Sequence, residues 1–315
     1  MQASLQVFET VFAFTIVVLL CLLLRKLSII KTEDNMVFTK LLTQVVLPAV
    51  IFLQLSATPI KSGQFLLIFA VFVAGVLSML LAYFAGCLLR LSKPKTGALM
   101  LTSSFGSSAL LGYPFIAFSF PNNPEAIADA VLLSELGVGL PMFLLGPAIA
   151  IYFGNQTENF SIKKTLFSYF QSPIFIAIVF GIAVSFVPFD RQNNFVAPFF
   201  EALKMINGAL SILACLILSL NLKFIPLRGI IPLFVISALI QMWFQPFIAN
   251  IQATIYGLTI LQAQVLVLVS SMPSAVLGPV FASRHNCAPE TTSALVMAHI
   301  VISIVTVPMV FYFIG

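Results

Sequence analysis

The fold is decided by two stretches of small, polar and proline residues, Ser103-Ser104-Phe105-Gly106-Ser107-Ser108-Ala109-Leu110-Leu111-Gly112-Tyr113-Pro114 and Ser270-Ser271-Met272-Pro273-Ser274-Ala275-Val276-Leu277-Gly278-Pro279. Each stretch lies inside a longer apolar run. Proline removes a backbone donor and glycine tolerates non-helical dihedral angles, so the pattern predicts a helix interrupted near the middle of each run. Two kinked packing helices are the alternative, because both residues are common in membrane spans. The recurrence of the pattern favours two broken helices.

The composition of the chain is that of an integral membrane protein. Of its 315 residues, 60% are hydrophobic and 8% are charged, whereas soluble proteins carry about 25% charged residues. The mean hydropathy is +1.11. Because a span needs about 20 apolar residues, the chain has room for about ten helices and no separate soluble domain. The apolar runs predict spans at residues 7–24, 41–55, 65–89, 96–120, 126–153, 172–187, 195–220, 229–249, 258–282 and 291–314.

Basic residues alternate from loop to loop. The loops after spans one, three, five, seven and nine hold twelve of the 15 Lys and Arg residues, and only Lys61, Arg191 and Lys204 lie on the other face. By the positive-inside rule the basic face is cytoplasmic. An even number of spans then predicts that both termini lie outside.

The chain also contains an internal repeat. A shift of 167 residues superimposes the serines and prolines of the two halves, laying Ser103, Ser104 and Ser107 on Ser270, Ser271 and Ser274, and Pro141-Met142 on Pro308-Met309. The predicted units are a first repeat of residues 1–153, a cytoplasmic linker of residues 154–170 and a second repeat of residues 171–315. Five spans per repeat is an odd number, so the second repeat enters the membrane upside down. Inverted repeats of this kind are typical of secondary transporters.

These stretches resemble the auxin efflux carrier family. Met272-Pro273-Ser274-Ala275, followed by Val280-Phe281-Ala282, Asn286 and Pro289-Glu290, is similar to the second crossover of that family, and Gly112-x-Pro114 is similar to the first. Leu24-Arg25-Lys26 and Leu47-Pro48-Ala49 are placed as in bacterial members. The resemblance covers nearly the whole chain. It implies a bacterial-type member in the inner (plasma) membrane, within the superfamily that includes bile-acid and arsenite transporters.

The resemblance also implies an architecture. It is an all-α membrane protein of ten transmembrane helices in two inverted five-helix repeats, with broken helices four and nine crossing each other. Helices one, two, six and seven form a scaffold, through which a homodimer is feasible, and helices three to five and eight to ten form a moving transport domain. Two departures argue against auxin as substrate: Ser107 stands where plant members have Asn, and the linker of residues 154–170 is short.

A crossing of this kind suits an anion, because half-helix N-termini present free N–H groups and the positive ends of helix dipoles. The hydroxyl groups of Ser107, Ser108 and Ser274 are candidate donors, although each can instead bond a carbonyl four residues back. No Lys or Arg lies in mid-span, so a monoanion is preferred to a dianion. The predicted substrate-binding residues are Gly106, Ser107, Ser108, Gly112, Pro114, Pro273, Ser274, Ala275, Gly278 and Pro279.

Few ionisable residues fall within the predicted spans. Glu135 in span five is taken as the only mid-span carboxylate, and His299 lies in span ten. Both are candidates for proton coupling, and a structural role, with hydrogen bonds to neighbouring helices, is the alternative. Gln241 and Gln245 share one face of span eight and are candidates for a cation site or for bonds between helices. No metal site and no cofactor is predicted.

The sequence therefore predicts a secondary active or potential-driven transporter of small organic anions, carboxylates in particular, with an elevator-type movement. A sodium- or proton-coupled symporter of the bile-acid-transporter type is the nearest alternative. A membrane sensor that binds a ligand without moving it is a second alternative. The sequence contains no phosphate-binding or zinc-binding enzyme motif, which argues against an enzyme. The expected partners are the organic anion and the lipid bilayer, with no nucleic acid.

Overall fold

The computed structural model describes residues 2–57, 62–121, 123–154, 167, 169–187, 193, 196–222 and 229–315. These residues are predominantly helical and form no named β-strand. The α-helices are α1 (Gln2–Lys26), α2 (Asn35–Leu41), α3 (Leu47–Leu55), α4 (Ser62–Leu88), α5 (Lys93–Ser104), α6 (Tyr113–Ser119), α7 (Pro124–Leu132), α8 (Leu140–Phe153), α9 (Pro173–Ser185), α10 (Ala197–Asn207), α11 (Leu210–Asn221), α12 (Ile231–Leu239), α13 (Gln245–Ile255), α14 (Ile260–Ser270), α15 (Gly278–Arg284) and α16 (Pro289–Ile314).

Seven continuous helical stretches in the described residues are long and apolar enough to cross a membrane, which confirms the prediction of an integral membrane protein. They are Leu5–Lys26, Thr32–Leu55, Gly63–Leu88, Pro124–Phe153, Ala197–Asn221, Ile231–Ile255 and Pro289–Ile314. Predicted spans four, six and nine correspond to shorter helices. The predicted linker of residues 154–170 lies largely outside the described residues.

Wide π-helical turns carry four of the helical stretches past a proline. Each π-helical segment ends two residues before Pro48, Pro114, Pro141 or Pro246; the segments are Leu42–Val46, Ser108–Gly112, Leu133–Gly139 and Ile240–Phe244. Proline has no N–H group and its ring clashes with the carbonyl four residues back. A wider turn at this position accommodates both defects. Proline alone therefore does not end a helix in this protein.

Helices α5 and α14 lie in the interior of the protein. Residues 96–104 of α5 and residues 265–270 of α14 are all buried. Helix α5 packs against α4, α8 and α16, and α14 packs against α13. Large apolar side chains such as Phe12 of α1 and Phe65 of α4 point outward, as expected for helices that face lipid.

Candidate functional site

Two helices are interrupted at the centre of the protein. Helix α5 ends at Ser104 and the chain becomes helical again at Ser108. Helix α14 ends at Ser270, and α15 begins only at Gly278. We call the non-helical residues 105–107 the first gap and residues 271–277 the second gap.

The two gaps pair with each other through their backbones. The N–H group of Ser107 donates to the carbonyl oxygen of Pro273 at 2.7 Å, and the N–H group of Ala275 donates to the carbonyl oxygen of Phe105 at 2.8 Å. These bonds form one antiparallel bridge. Unpaired backbone groups are costly at this depth, and the bridge satisfies part of what the interrupted helices leave free. The pairing therefore holds two distant parts of the sequence together at one point.

The gaps approach each other closely at Gly106. A Cβ atom added to Gly106 would lie 3.3 Å from the carbonyl oxygen of Met272 and 3.3 Å from Nε2 of Gln241. Both distances are tighter than ordinary van der Waals contact. An alanine at this position therefore requires the Met272 carbonyl and the Gln241 amide to move by a few tenths of an ångström.

The first gap lies within the stretch of residues 103–114 that the sequence indicates, but N-terminal to its Gly112-x-Pro114 pattern. The Gly112-x-Pro114 pattern was expected to mark the crossover, but Gly112 ends a π-helical segment and Pro114 lies in α6. The wide turn before Pro114 allows the helix to continue, so the gap opens instead where Phe105 adopts an extended conformation, with φ −125° and ψ 114°. Gly278 and Pro279 likewise begin α15, after the second gap.

The three candidate serines differ in their hydrogen bonds. The Ser274 hydroxyl donates to the carbonyl oxygen of Thr102. The Ser108 and Ser134 hydroxyls share a hydrogen bond at 2.6 Å, and the Ser108 hydrogen is available to a ligand when Ser134 is the donor. Among the described residues the Ser107 hydroxyl has no hydrogen-bond partner. Ser107 and Ser108 thus remain able to donate to a ligand, whereas Ser274 is committed to the protein.

His299 lies beside the second gap. Its Nδ1 atom is 2.6 Å from the Ser274 hydroxyl, and its Nε2 atom is 2.9 Å from the Ser237 hydroxyl. A hydroxyl carries one hydrogen, and that of Ser274 goes to Thr102, so Nδ1 must be the donor to Ser274. The Ser237 hydroxyl lies 3.1 Å from the Phe234 carbonyl oxygen as well as 2.9 Å from Nε2. A neutral imidazole is fully satisfied when Ser237 donates to Nε2, whereas Nε2 must carry a hydrogen when Ser237 donates to Phe234.

Glu135 lies beside the helix that follows the first gap. Tyr113 of that helix donates its hydroxyl to the Oε1 atom of Glu135, and Tyr169 donates to the backbone carbonyl of Glu135 at 2.9 Å. The Glu135 side chain is 5% exposed. Glu135 and His299 are therefore held near different gaps, and the two tyrosines that bind Glu135 were not identified from the sequence.

A second carboxylate, near the start of the helical stretch Pro124–Phe153, is also buried and was not identified from the sequence. Asp129 of α7 is 3% exposed and accepts a hydrogen bond from Nε2 of Gln64 at 2.6 Å. Its position inside the apolar run of residues 126–133 is the sequence signal that identifies it, because a charge there requires a buried partner.

Gln241 and Gln245 both point toward the gaps. Nε2 of Gln241 donates to the carbonyl oxygen of Met272 at 3.2 Å, which is the interhelical bond proposed for one of the two amides. Gln245 lies against the end of α5, because a Cβ atom added to Gly75 would lie 3.2 Å from the Ser104 carbonyl oxygen and 3.6 Å from Nε2 of Gln245. Both glutamines are buried, and both leave Oε1 without a hydrogen bond in the described structure.

An apolar pocket opens one helical turn from the first gap. Its volume is about 220 Å³, and it lies between α1, the helix Ser108–Ser119, α11 and α16. Leu111, Phe115 and Ile300 line it together with Thr15 and Ser303, whose hydroxyls donate to Val11 and Ile300 carbonyls of their own helices. The pocket therefore offers space for a hydrocarbon group and few polar contacts.

The family model and both relatives that match this chain are described as transport proteins. The family model described as Membrane transport protein matches residues 154–311, half of the chain. An "Uncharacterized transporter" of Methanocaldococcus jannaschii is 26% identical over 265 residues, which cover 82% of this chain and 83% of that protein. An "Uncharacterized transporter" of Methanothermobacter thermautotrophicus is 24% identical over 305 residues, 96% of each protein.

Proposed function

The chain belongs to the membrane transport protein family, which is the family of the auxin efflux carriers, and from that membership we propose a carrier of small organic monoanions. That it is a membrane transporter and not an enzyme follows from the family and from the names of its relatives. The substrate class is the proposal, and it rests on the chemistry beside the first gap.

One observation supports this proposal: the helix that begins at the first gap has N–H and hydroxyl donors that are available to a ligand. The helix Ser108–Ser119 runs for twelve residues, so its first N–H groups have no partner within the helix and its dipole is positive at this end. The hydroxyls of Ser107 and Ser108 are available to donate beside them. A carboxylate is the ligand that such a set of donors favours.

The pocket beside this helix supports a substrate with an apolar body. Leu111 and Phe115 lie on the helix Ser108–Ser119, so the pocket and the donors belong to the same element. A monocarboxylate places its charged end at the donors and its hydrocarbon part in the volume of about 220 Å³. A second carboxylate would have no Lys or Arg near it in mid-span, which favours a monoanion.

We further propose the ten-span architecture for this transporter. The seven helices long enough to cross a membrane support this proposal, and counting α9 and the two interrupted helices as crossings as well gives the ten spans of the inverted repeat inferred from the sequence. In this arrangement the interrupted helices belong to a transport domain that moves against the scaffold helices in an elevator-type movement. Both termini lie outside the inner membrane, and a homodimer forms through the scaffold.

Counterflow into proteoliposomes tests the substrate class. Vesicles that contain the purified protein are loaded with one carboxylate, and uptake of labelled monocarboxylates, dicarboxylates and uncharged amide analogues is compared. We expect uptake of monocarboxylates above the level of empty liposomes and none of the amides. Equal uptake of amides, or no carboxylate uptake, would contradict the proposal.

A further inference from the structure

We propose that Tyr169 is a latch between the scaffold and the transport domain. Its hydroxyl holds the helical stretch Pro124–Phe153 to α9 in the state that the structure shows, and the bond breaks each time the transport domain moves. The starting observation is one hydrogen bond at the end of the predicted linker. The Tyr169 hydroxyl donates to the carbonyl oxygen of Glu135 at 2.9 Å, and Tyr169 is 5% exposed.

Tyr169 is structurally attached to α9. Its carbonyl oxygen accepts a hydrogen bond from the N–H group of Ser172 at 3.0 Å. Ser172 is the N-cap of α9, and its hydroxyl accepts a bond from the N–H group of Phe175. The centroids of the Tyr169 and Phe175 rings are 5.6 Å apart. A movement of α9 therefore carries Tyr169 with it.

Helix α9 packs with a scaffold helix. It contacts α3 and the π-helical segment Leu42–Val46 that precedes α3, and the two helices correspond to predicted spans six and two. The stretch Pro124–Phe153 corresponds to span five, a proposed transport helix, and it packs against α4 and α5. Its first part, α7, also packs against α3. The Tyr169 bond therefore adds a directional contact to an interface between the two units of the proposed movement.

The carbonyl that accepts this bond does not depend on Tyr169. Glu135 lies in the π-helical segment Leu133–Gly139, and its carbonyl oxygen also accepts the N–H group of Leu140. A buried carbonyl without any partner is costly, but this one keeps a bond within its own helix when the tyrosine leaves. The contact can therefore form and break without leaving the transport helix with an unsatisfied carbonyl.

The segment that Tyr169 holds also contacts the helix of the proposed anion site. The Ser134 and Ser108 hydroxyls share a hydrogen bond, and the Glu135 carboxylate accepts the Tyr113 hydroxyl. Tyr169 bonds the backbone of this segment and not these side chains. We therefore interpret Tyr169 as a positioning residue for the movement and not as a ligand of the anion.

This inference rests on the movement named in the proposed function. Removing one hydrogen bond changes an equilibrium by about two- to tenfold. Tyr169→Phe removes the hydroxyl and keeps the ring, which lies 5.6 Å from the Phe143 ring of α8 between centroids. We expect this variant to raise the population of the other orientation, relative to the state described here, by about two- to tenfold.

Distances between two spin labels in the purified full chain, in lipid nanodiscs, test the latch. The labels are attached at Val179→Cys on α9 and Phe84→Cys on α4, because both side chains are exposed. The background is Cys87→Ser, which removes the exposed native thiol. Tyr256→Phe is the matched control, because the Tyr256 ring contacts Phe69 between two proposed transport helices, α13 and α4. The control should keep the parent's distribution of distances.

The outcomes separate the latch from the movement and the movement from the substrate. A distribution in folded Tyr169→Phe equal to that of a parent with two distances overturns the latch and leaves the movement standing. An equal change in Tyr256→Phe also overturns the latch, because the effect is then not specific to the bond. A single distance in every variant, with and without a monocarboxylate, overturns the latch and the movement together, and carboxylate counterflow then tests the substrate class separately.

Discussion

Ser274 and His299 couple the second gap to three helices through single hydrogen bonds. Ser274 donates to Thr102 of α5, and His299 of α16 bonds both Ser274 and Ser237 of α12. These hydrogen bonds suffice for a neutral imidazole if the Ser237 hydroxyl donates to Nε2 instead of to the Phe234 carbonyl. We propose that His299 positions the second gap in this neutral form and does not carry protons.

Replacing His299 by Gln tests this interpretation. A glutamine amide cannot reach both serines in the same way, so we expect a loss of stability of about 1–3 kcal/mol from the unpaired groups. The ratio of carboxylate uptake with and without a pH gradient, measured between pH 7 and pH 8 where carboxylates are ionised, should equal that of the parent.

Glu135→Gln is the companion variant, because its amide oxygen still accepts the Tyr113 hydroxyl. It should also keep the parent's uptake ratio. If a pH gradient drives uptake by the parent but not by one of the two variants, the residue replaced in that variant carries protons. That result at His299 would contradict its positioning role.

At the scale of elements, the position of the first gap is set by pairing with the second gap and not by the nearest proline. Gly106 lies in the gap and Gly112 lies in the helix that follows it. A Cβ atom at Gly106 would meet the Met272 carbonyl at 3.3 Å, whereas one at Gly112 would meet the Ser108 Cβ atom at an ordinary 3.6 Å. The two glycines therefore make a matched pair for substitution.

Gly106→Ala should destabilise the protein by about 1–3 kcal/mol, the usual cost of overpacking. Gly112→Ala should be neutral or stabilising by up to about 1 kcal/mol, because alanine favours a helix more than glycine does. Thermal or denaturant unfolding in the same detergent compares the two. Greater damage from Gly112→Ala would place the crossover where the sequence pattern indicated it.

Sequence patterns identified the long helices and the stretches that interrupt two others, but not the residues at which those two helices end. Apolar runs located the seven long helices, because a membrane requires a fixed number of apolar residues in each. The first gap lies inside the predicted stretch of residues 103–114, but the Gly112-x-Pro114 pattern lies beyond the gap, because a π-helical turn before Pro114 removes the clash that proline otherwise causes. The pairing of Ser107 with Pro273 joins residues from opposite halves of the sequence, and no local pattern specifies such a contact.

The candidate site was predictable in its serines and glycines but not in its hydrogen bonds. Ser107, Ser108 and Ser274 all lie at or beside the gaps, as the sequence indicated. Which hydroxyl remains free depends on Ser134, Thr102 and other residues of neighbouring helices. The apolar run around Asp129 signals a buried carboxylate, but its partner Gln64 lies on another helix and cannot be identified from that run.

For the whole molecule, the alternating loop charges predict which ends of the helices face the cytoplasm. Lys93 begins α5 and Asn123 precedes α7, so the intervening crossing should place them on opposite sides. Cysteines introduced singly at these positions should react with membrane-impermeant reagents from opposite sides of sealed vesicles. Cys87 is exposed, whereas Cys21, Cys215 and Cys287 are buried, so Cys87→Ser provides the background.

Labelling of both cysteines from the same side would refute the ten-span topology, because that topology places an odd number of crossings between Lys93 and Asn123. The Cys87→Ser background without an introduced cysteine is the control and should remain unlabelled in intact vesicles. The Asn123 substitution also removes a helix cap, which costs about 1 kcal/mol, so folding of that variant is verified by its unfolding temperature.

The central claim is that the first gap binds the transported anion, and equilibrium binding tests it most directly. A labelled monocarboxylate is titrated into nanodiscs that contain the parent, Ser107→Leu or Ser293→Leu. Ser293 makes the matched control, because its hydroxyl bonds Pro289 of its own helix, away from the gaps. We predict saturable binding to the parent and to Ser293→Leu, and at least tenfold weaker binding to Ser107→Leu, a difference of about 1.4 kcal/mol. Equal affinity of the folded Ser107→Leu variant and the parent would contradict the account.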